Sequence, residues 1–557
     1  MKFNRLLISE FRPKLLTTLK TYNRKLFVSD LISGLIVGVV ALPLSIAFAI
    51  ASGVSPERGI ITAIIGGFLI SALGGSKVQI GGPTGAFIVI IYGIVEQFGV
   101  NGLTIATIMA GVMLFLMGLF KLGSVIKFMP YPIVVGFTSG IAVVIFSSQI
   151  QDIFGLQLSE AVPSNMIEKM IMFAHYLHTI NPYSILIAVF TILCIILFPK
   201  LNKKIPSTLI ALIVATVAVM LFDIPVETIG SRFGEIPNNI PAPVIPFIDY
   251  STFRMLLVPA FTIAMLGAIE SLLSAMVADG AIGGNHRSNT ELMGQGIANI
   301  ITPIFGGIPS TGAIARTMTN IRSGGKTPVA GIIHAIVLLG ILLFFGSQAK
   351  LIPLSCLAGI LAVVAYNMSE WRSFKKLLKN SKLEVGVLLT TFFLTVLVDL
   401  TIAILFGIIL AFILFMKRII ETTNIDVLKL EVDNELAGAE NQTLTVPEHV
   451  HVFEMRGPFF FGVANIFDEI DREVSSKPKV LVVRFRRVPF IDSTAINNFK
   501  SFVEKKKRDG ITIVLSHVVP SVYSELEKNG LVELIGKENF CPEIESALKR
   551  ADEIAGK

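Results

Sequence analysis

Charge is scarce in this chain. Only 16% of its 557 residues are Asp, Glu, Lys or Arg, while 53% are hydrophobic, and the mean hydropathy is +0.74. A soluble globular protein carries about 25% charged residues. So little polar surface cannot cover a water-soluble fold of this length, and lipid is the solvent that resolves the mismatch. Cysteine is scarce too. Cys194, Cys356 and Cys541 fall at no spacing that suggests a metal site or a disulfide framework. No nucleophile–base pair and no metal-ligand cluster stands out, so the chain is not read as an enzyme and no cofactor is implied. An ATP loop is missing as well. Gly324-Gly325-Lys326-Thr327 has the ending of one, but its first glycine would fall at Asn320 and no strand precedes it. Energy for any work must then come from ion gradients. A cleavable leader is not expected. The segment from Lys2 to Lys25 is basic and amphipathic, and the first long apolar run begins near Leu31 with many more behind it. That segment reads as a surface helix on membrane lipid.

Apolar runs dominate what is present. They occur at roughly 31–50, 59–73, 84–97, 103–120, 131–149, 183–199, 206–222, 255–277, 291–305, 311–321, 328–347, 351–367, 383–398 and 400–417. The net charge of +7 does not call for nucleic acid, because Lys and Arg collect in short loops that fall on one side. These loops hold Arg24/Lys25, Lys121/Lys127, Lys200/Lys203/Lys204, Arg322/Lys326, Arg372/Lys375/Lys376/Lys379 and Lys417/Arg418. The positive-inside rule puts that side, and both chain ends, in the cytoplasm. The loop at 223–254 then lies outside.

Two of the runs are short and follow a Gly/Pro break: Gly81-Gly82-Pro83-Thr84-Gly85 before the run at 84–97, and Gly306-Gly307-Ile308-Pro309-Ser310 before the run at 311–321. Each stands third in its half of the chain, which suggests an internal repeat. Paired interrupted segments are a pointer to a transporter's binding site. A helix that starts within the membrane aims unpaired N–H groups and partial positive charge at its interior. Irregular backbone is tolerated there only where it lines a cavity, and two such starts facing each other suit an anion. Thr84, Gly85, Ala86 and Phe87 open the first half-helix; the bland alternative is packing through small residues, as at Gly34 and Gly38. Arg316 sits in the first turns of the second and would add positive field, or would pair with Glu270.

Glu270 lies well inside an apolar run. A carboxyl at mid-helix costs about 2.5–3.5 kcal/mol on insertion scales, so it is read as functional, with Ser274 one turn on along the same face. A structural carboxylate bonded to a neighbouring helix is the alternative. His334 reads as a packed histidine rather than a proton relay. Beyond Arg418 the composition changes. Strand-like runs at 450–455, 480–485 and 511–515 alternate with amphipathic stretches at 464–474, 494–508, 521–529 and 542–551, as in a small α/β layer domain. Asp492-Ser493-Thr494 opens one of these helices. An N-cap is the plainer reading, and a phosphorylatable switch at Ser493 the sharper one. The expected division is a cytoplasmic amphipathic segment (1–25), a transmembrane transport domain (26–420), a linker (421–447) and a soluble domain (448–557).

Four stretches together resemble the sulfate permease family of anion transporters: Ala41-Leu42-Pro43-Leu44-Ser45-Ile46-Ala47-Phe48-Ala49, Gly82-Pro83-Thr84-Gly85-Ala86, Gly267-Ala268-Ile269-Glu270-Ser271-Leu272-Leu273-Ser274, and the segment from Gly307 to Thr317. The tail resembles a STAS domain, with Asp492-Ser493-Thr494 at its characteristic loop. The resemblance implies an all-α membrane domain of fourteen segments in a 7+7 inverted repeat, split into core and gate domains, followed by a small cytoplasmic α/β STAS domain. The anion would sit between the half-helices of segments 3 and 10. Its contacts would include Leu44 and Phe48 on segment 1, Phe87 on segment 3, and Gly312, Ala313, Ile314, Ala315 and Arg316 on segment 10. It further implies a homodimer in a bacterial inner membrane, elevator-like alternating access, and a cytoplasmic protein partner for the STAS domain. In distant soluble relatives the serine matching Ser493 is phosphorylated.

Sodium-coupled bicarbonate carriers of that family place aspartate at the position of Glu270 and threonine at that of Ser274, and lack an arginine at that of Arg316. A longer carboxyl side chain changes a sodium cage, and a carboxyl in low dielectric favours its neutral form and can carry a proton. The expectation is therefore proton symport of a dicarboxylate, sulfate or bicarbonate. Sodium symport, an anion channel and a STAS-coupled sensor are the alternatives.

Overall fold

A computed structural model describes residues 11–556, apart from 127–129, 161, 164, 202–205, 248–249, 399, 423, 429–430, 435–441, 448, 462–466 and 468–477. The sequence reading of residues 1–10 lies outside the described residues. So does most of the amphipathic stretch expected at 464–474. The chain divides into two compact units, residues 1–411 and 412–557.

The first unit is helical. After a short helix α1 (Lys14–Thr18) come α2 (Arg24–Ala51), α3 (Pro56–Leu73), strand β1 (Gly81–Gly82), α4 (Ile88–Leu119), α5 (Tyr131–Ser148), α6 (Met166–His175), α7 (Pro182–Leu201) and α8 (Ser207–Leu221). The second half brings α9 (Tyr250–Ile282), α10 (Ser288–Ile301), strand β2 (Thr311–Gly312), α11 (Ile314–Arg322), α12 (Pro328–Phe345), α13 (Leu354–Met368), α14 (Lys382–Leu397) and α15 (Leu400–Thr422). Eight helices among the described residues are long and apolar enough to cross a membrane. The runs expected at 84–97 and 103–120 belong to the one helix α4, broken at Gly99 with φ 66° and ψ −175°. With that break, and leaving out the short α1 and α6, the helices give the fourteen expected segments.

The two halves meet through their breaks. Strands β1 and β2 pair antiparallel, Gly81 opposite Gly312 and Gly82 opposite Thr311. Equivalent pieces running in opposite directions are what an inverted repeat produces. Helix packing repeats the relation: α2 packs on α12, and α9 packs on α4. The first pair approaches closely because it is built on small residues. A Cβ at Gly34 would stand 2.7 Å from the Ala330 carbonyl, and one at Gly38 would stand 2.8 Å from Val337. With no hydrophobic drive between helices in lipid, such close packing supplies the attraction.

A buried carboxylate ties α2 to the start of α12. Asp30 accepts from the backbone N–H groups of Lys326 and Thr327 at 2.8 and 3.1 Å, and from the Thr327 hydroxyl at 2.5 Å. The glycine-rich stretch at 324–327 does cradle an oxyanion, but it is the chain's own.

The second unit carries strands β3 (Asn424–Leu428), β4 (Glu431–Asn434), β5 (Gln442–Thr445), β6 (Val450–Arg456), β7 (Val480–Arg487), β8 (Thr512–Ser516) and β9 (Phe540–Cys541), with helices α16 (Ser493–Arg508), α17 (Pro520–Lys528), α18 (Leu531–Ile535) and α19 (Ile544–Ala555). The main sheet runs β3-β6-β7-β8-β9. Only the β3–β6 pair is antiparallel. The stretch at 421–447, read from sequence as a linker, therefore contributes an edge strand. Both faces of β7 are buried, as in a parallel sheet covered on two sides. Leu481, Val483 and Phe485 meet Phe499 and Phe502 of α16 on one face, while Val480 and Val482 meet Ala547 and Ala551 of α19 on the other.

Candidate functional site

A cavity of about 320 Å³ lies where the two breaks meet. Its floor is made by the half-helix starts: Thr84, Gly85 and Ala86 from one, Ala313, Ile314, Ala315 and Arg316 from the other. Leu44 and Phe48 of α2 and Glu270 of α9 complete that side. The opposite wall is α5, with Ile133, Val134, Phe137 and Thr138, and the end of α13, with Asn367 and Met368. Those wall residues sit at the start of α5 and the end of α13, so the cavity lies toward the face from which α2 begins.

The backbone at the floor is unusual for a defined reason. Gly82 has φ +145°, and a Cβ there would stand 2.4 Å from Arg316 Nη1, so only glycine fits. After it, Thr84 is extended and Gly85–Phe87 forms a single 3₁₀ turn that leads into α4. On the other side Ala313 is extended and α11 begins at Ile314. First-turn N–H groups have no intrahelical partner, so both starts present donors and partial positive charge.

The two charges do not pair with each other, as one sequence reading allowed. No salt bridge within 4 Å joins Glu270 and Arg316 among the described residues. Instead they grip neighbouring residues of the first break. Thr84 Oγ1 donates to Glu270 Oε2 at 2.8 Å, and Arg316 Nη2 donates to the carbonyl of Pro83. Arg316 is 2% exposed, and its Nη1 has no hydrogen-bond partner among the described residues. A buried cation with an open donor calls for an acceptor. The residue lines the cavity, while Nη1 itself is tucked against Gly82.

Three expected contacts stand elsewhere. Phe87 is buried with its ring end 3.5 Å from the position of a Cβ on Gly267, packing α4 against α9 rather than lining the cavity. Gly312 lies in β2, closed over by the amide of Gln79. Ser274 lies behind the cavity, its Oγ 3.4 Å from Thr317 Oγ1, which in turn accepts from Ile80 N at 3.0 Å. Ser493 is exposed at the first position of α16. The cap is Asp492, whose carboxylate accepts from Ala495 N at 2.8 Å and Phe461 N at 2.9 Å. His334 is fully buried on α12 beside Gly67.

Sequence reading missed the α5 and α13 wall, whose apolar residues carry no chemistry that singles them out. It also missed Glu291. This buried carboxylate accepts from Gly75 N at 2.7 Å and Ser76 N at 3.1 Å, and from Ser271 Oγ at 3.1 Å. It binds the approach to β1 onto α10 and α9. Its place near the start of an apolar run was the signal that could have found it.

The model of the sulfate permease family matches residues 27–391, and that of the STAS domain matches residues 441–547. YvdB of Bacillus subtilis (strain 168), named as a candidate sulfate transporter, is 44% identical over 523 residues, spanning 94% of this chain and 97% of its own. The bicarbonate transporter BicA of Picosynechococcus sp. (strain ATCC 27264 / PCC 7002 / PR-6) is 31% identical over 94% of each chain. The murine Slc26a9 anion transporter, solved in the inward-facing state, overlays with a TM-score of 0.87 at 20% identity, covering 97% of this chain and 94% of that one, which bears on the fold alone. The chain thus belongs to the sulfate permease family: it is a membrane transporter with a C-terminal STAS domain.

Proposed function

We propose that this protein is a secondary carrier that brings a small oxyanion into the cell by proton symport. The observation that carries the reading is the cavity floor: two half-helix starts joined by the β1–β2 pair, with Arg316 lining it. Sulfate and bicarbonate head the cargo list, after the names of YvdB and BicA, and dicarboxylates follow. Glu270 is the proton carrier in this reading. It shares the cavity with Arg316 and bonds Thr84, the residue that opens the first half-helix. Protonation there removes a negative charge from beside the anion, so anion and proton favour each other's binding. Such linkage is reciprocal.

The chain ends lie in the cytoplasm in this scheme, the cavity is open inward, and α2, α4, α9 and α11 move as a core against a gate that includes α5 and α13. A homodimer in the inner membrane, with the STAS domain as its regulatory element and Ser493 as a phosphorylation point exposed to a protein partner, completes it.

Purified protein in liposomes tests the coupling, with labelled sulfate and bicarbonate under imposed proton or sodium gradients. Uptake driven by an inward proton gradient without sodium is expected. Uptake that needs sodium and ignores the proton gradient overturns the proton assignment. Glu270→Gln is expected to abolish the response to the pH gradient while anion affinity stays within about threefold, since the amide keeps the bond from Thr84.

A further inference from the structure

A second cavity of about 130 Å³ lies on the same seam, at the opposite end from the first. Its walls are the last residues of α2 (Ile50, Ala51), the first turns of α4 (Ile88, Val89, Tyr92), the end of α5 and the turn beyond it (Ser148, Gln149, Asp152), and Lys169 of α6. The two cavities share two helices, α2 and α5: Phe48 faces the first and Ile50 the second, while Thr138 faces the first and Ser148 the second. Between them Phe48 and Ile145 close over Gly85. A Cβ added there would lie 3.4 Å from one and 3.2 Å from the other.

Lys169 is the unusual member. It is 4% exposed, yet among the described residues its ammonium has neither a salt bridge within 4 Å nor a hydrogen bond. Its sole close partner among them is the ring face of Tyr92, 5.5 Å away. A cation–π contact offsets part of the cost of burying an ammonium, but leaves its three donors unused. Burial pushes its pKa down, with Glu96 acting the other way at longer range. Arg232, the other cation at this cavity, is already held by Asp152 at 2.8 Å and by Glu227. The Gln151 amide lines the same chamber and offers a further donor, whereas Ser148 donates to the Ile145 carbonyl and Gln149 to that carbonyl and to Ser148 Oγ. With Arg232 neutralised by two carboxylates, the Lys169 ammonium is the positive charge left to this polar chamber, and it fits a small oxyanion.

We infer that this chamber is a second anion site, a waiting station on the path to the central cavity, with Lys169 as its charged ligand. The inference rests on the carrier reading above, which makes the seam a path. Tyr92 donates from its hydroxyl to the Val162 carbonyl. Helix α4, which begins at the central floor, is thereby tied to the wall of the outer chamber.

The test uses full-length protein, with sulfate and bicarbonate as probes. Equilibrium dialysis measures bound anion per chain, and liposome uptake measures KM and kcat separately. For at least one probe, two anions are expected per wild-type chain, and one in Lys169→Gln and in Arg316→Gln alike. Uptake by Lys169→Gln is expected to show a KM raised about tenfold with kcat near wild type, since one charge-assisted contact is lost from the entry side alone. Lys169→Arg should restore KM; a merely structural lysine would instead lower the melting temperature in both variants and leave KM alone. One anion per chain in wild type and in Lys169→Gln overturns the outer site and leaves the central one standing. If Arg316→Gln keeps the wild-type stoichiometry, the central reading falls. If neither probe binds wild type, both fall.

Discussion

The two breaks in the membrane unit have matching backbones and different chemistry. Each is a short strand followed by a helix start, and the strands pair across the centre. Yet the first break supplies acceptors and a hydroxyl, at Pro83 and Thr84, while the second supplies the cation, Arg316. Glu270, from a third helix, bonds the first break rather than the cation. The repeat thus fixes where N–H groups point, and single side chains decide what the site can hold. In the proposed carrier, anion binding is a property of the pair, whereas charge selection belongs to the second break and proton response to Glu270, which bonds the first.

The largest test of that division is Arg316→Gln. Losing a buried charge-assisted donor should raise KM for the anion by roughly 100-fold, measured as uptake into liposomes, with the melting temperature recorded alongside. Second in size is a matched pair of glycine substitutions. Gly82→Ala places a methyl on a backbone at φ +145° and 2.4 Å from Arg316 Nη1. Strain of this kind costs about 1–3 kcal/mol, and the thermal unfolding midpoint should fall together with uptake. Gly312→Ala meets the end of the Gln79 side chain instead. It should lower stability less, by displacing an amide that donates to Ser271. Equal losses at both glycines would remove the asymmetry. The smallest effect expected is from Thr84→Ala. It deletes one hydroxyl bond to Glu270 worth about 1 kcal/mol, so KM should move less than about tenfold while the pH at half-maximal uptake shifts.

Much of this was legible beforehand because lipid leaves few choices. Backbone must close on itself within the bilayer, so the apolar runs gave the helices, and a Gly/Pro break inside one had to line something. Glu270 and Arg316 were legible for the same reason, since a charge in an apolar run needs a cause. What could not be read was which way each side chain turns. Phe87 and Gly312 belong to the right segments but face α9 and Gln79, and the spacing of short segments does not set such rotations. Nor could the α5 wall be read, because Ile133, Val134 and Phe137 look like any lipid-facing residues. In the second unit, alternation revealed β6, β7 and β8, whose buried faces are continuous. Strand β3 was missed because an antiparallel edge of five residues, Asn424–Leu428, carries too little pattern.

The most direct measurement is a structure of the full-length protein with selenate, a heavy mimic of sulfate, at saturating concentration. The account predicts selenate density in the central cavity, about 3 Å from first-turn N–H groups of α11 and beside Arg316. A cavity filled by protein side chains, or selenate bound only away from both half-helix starts, would contradict it.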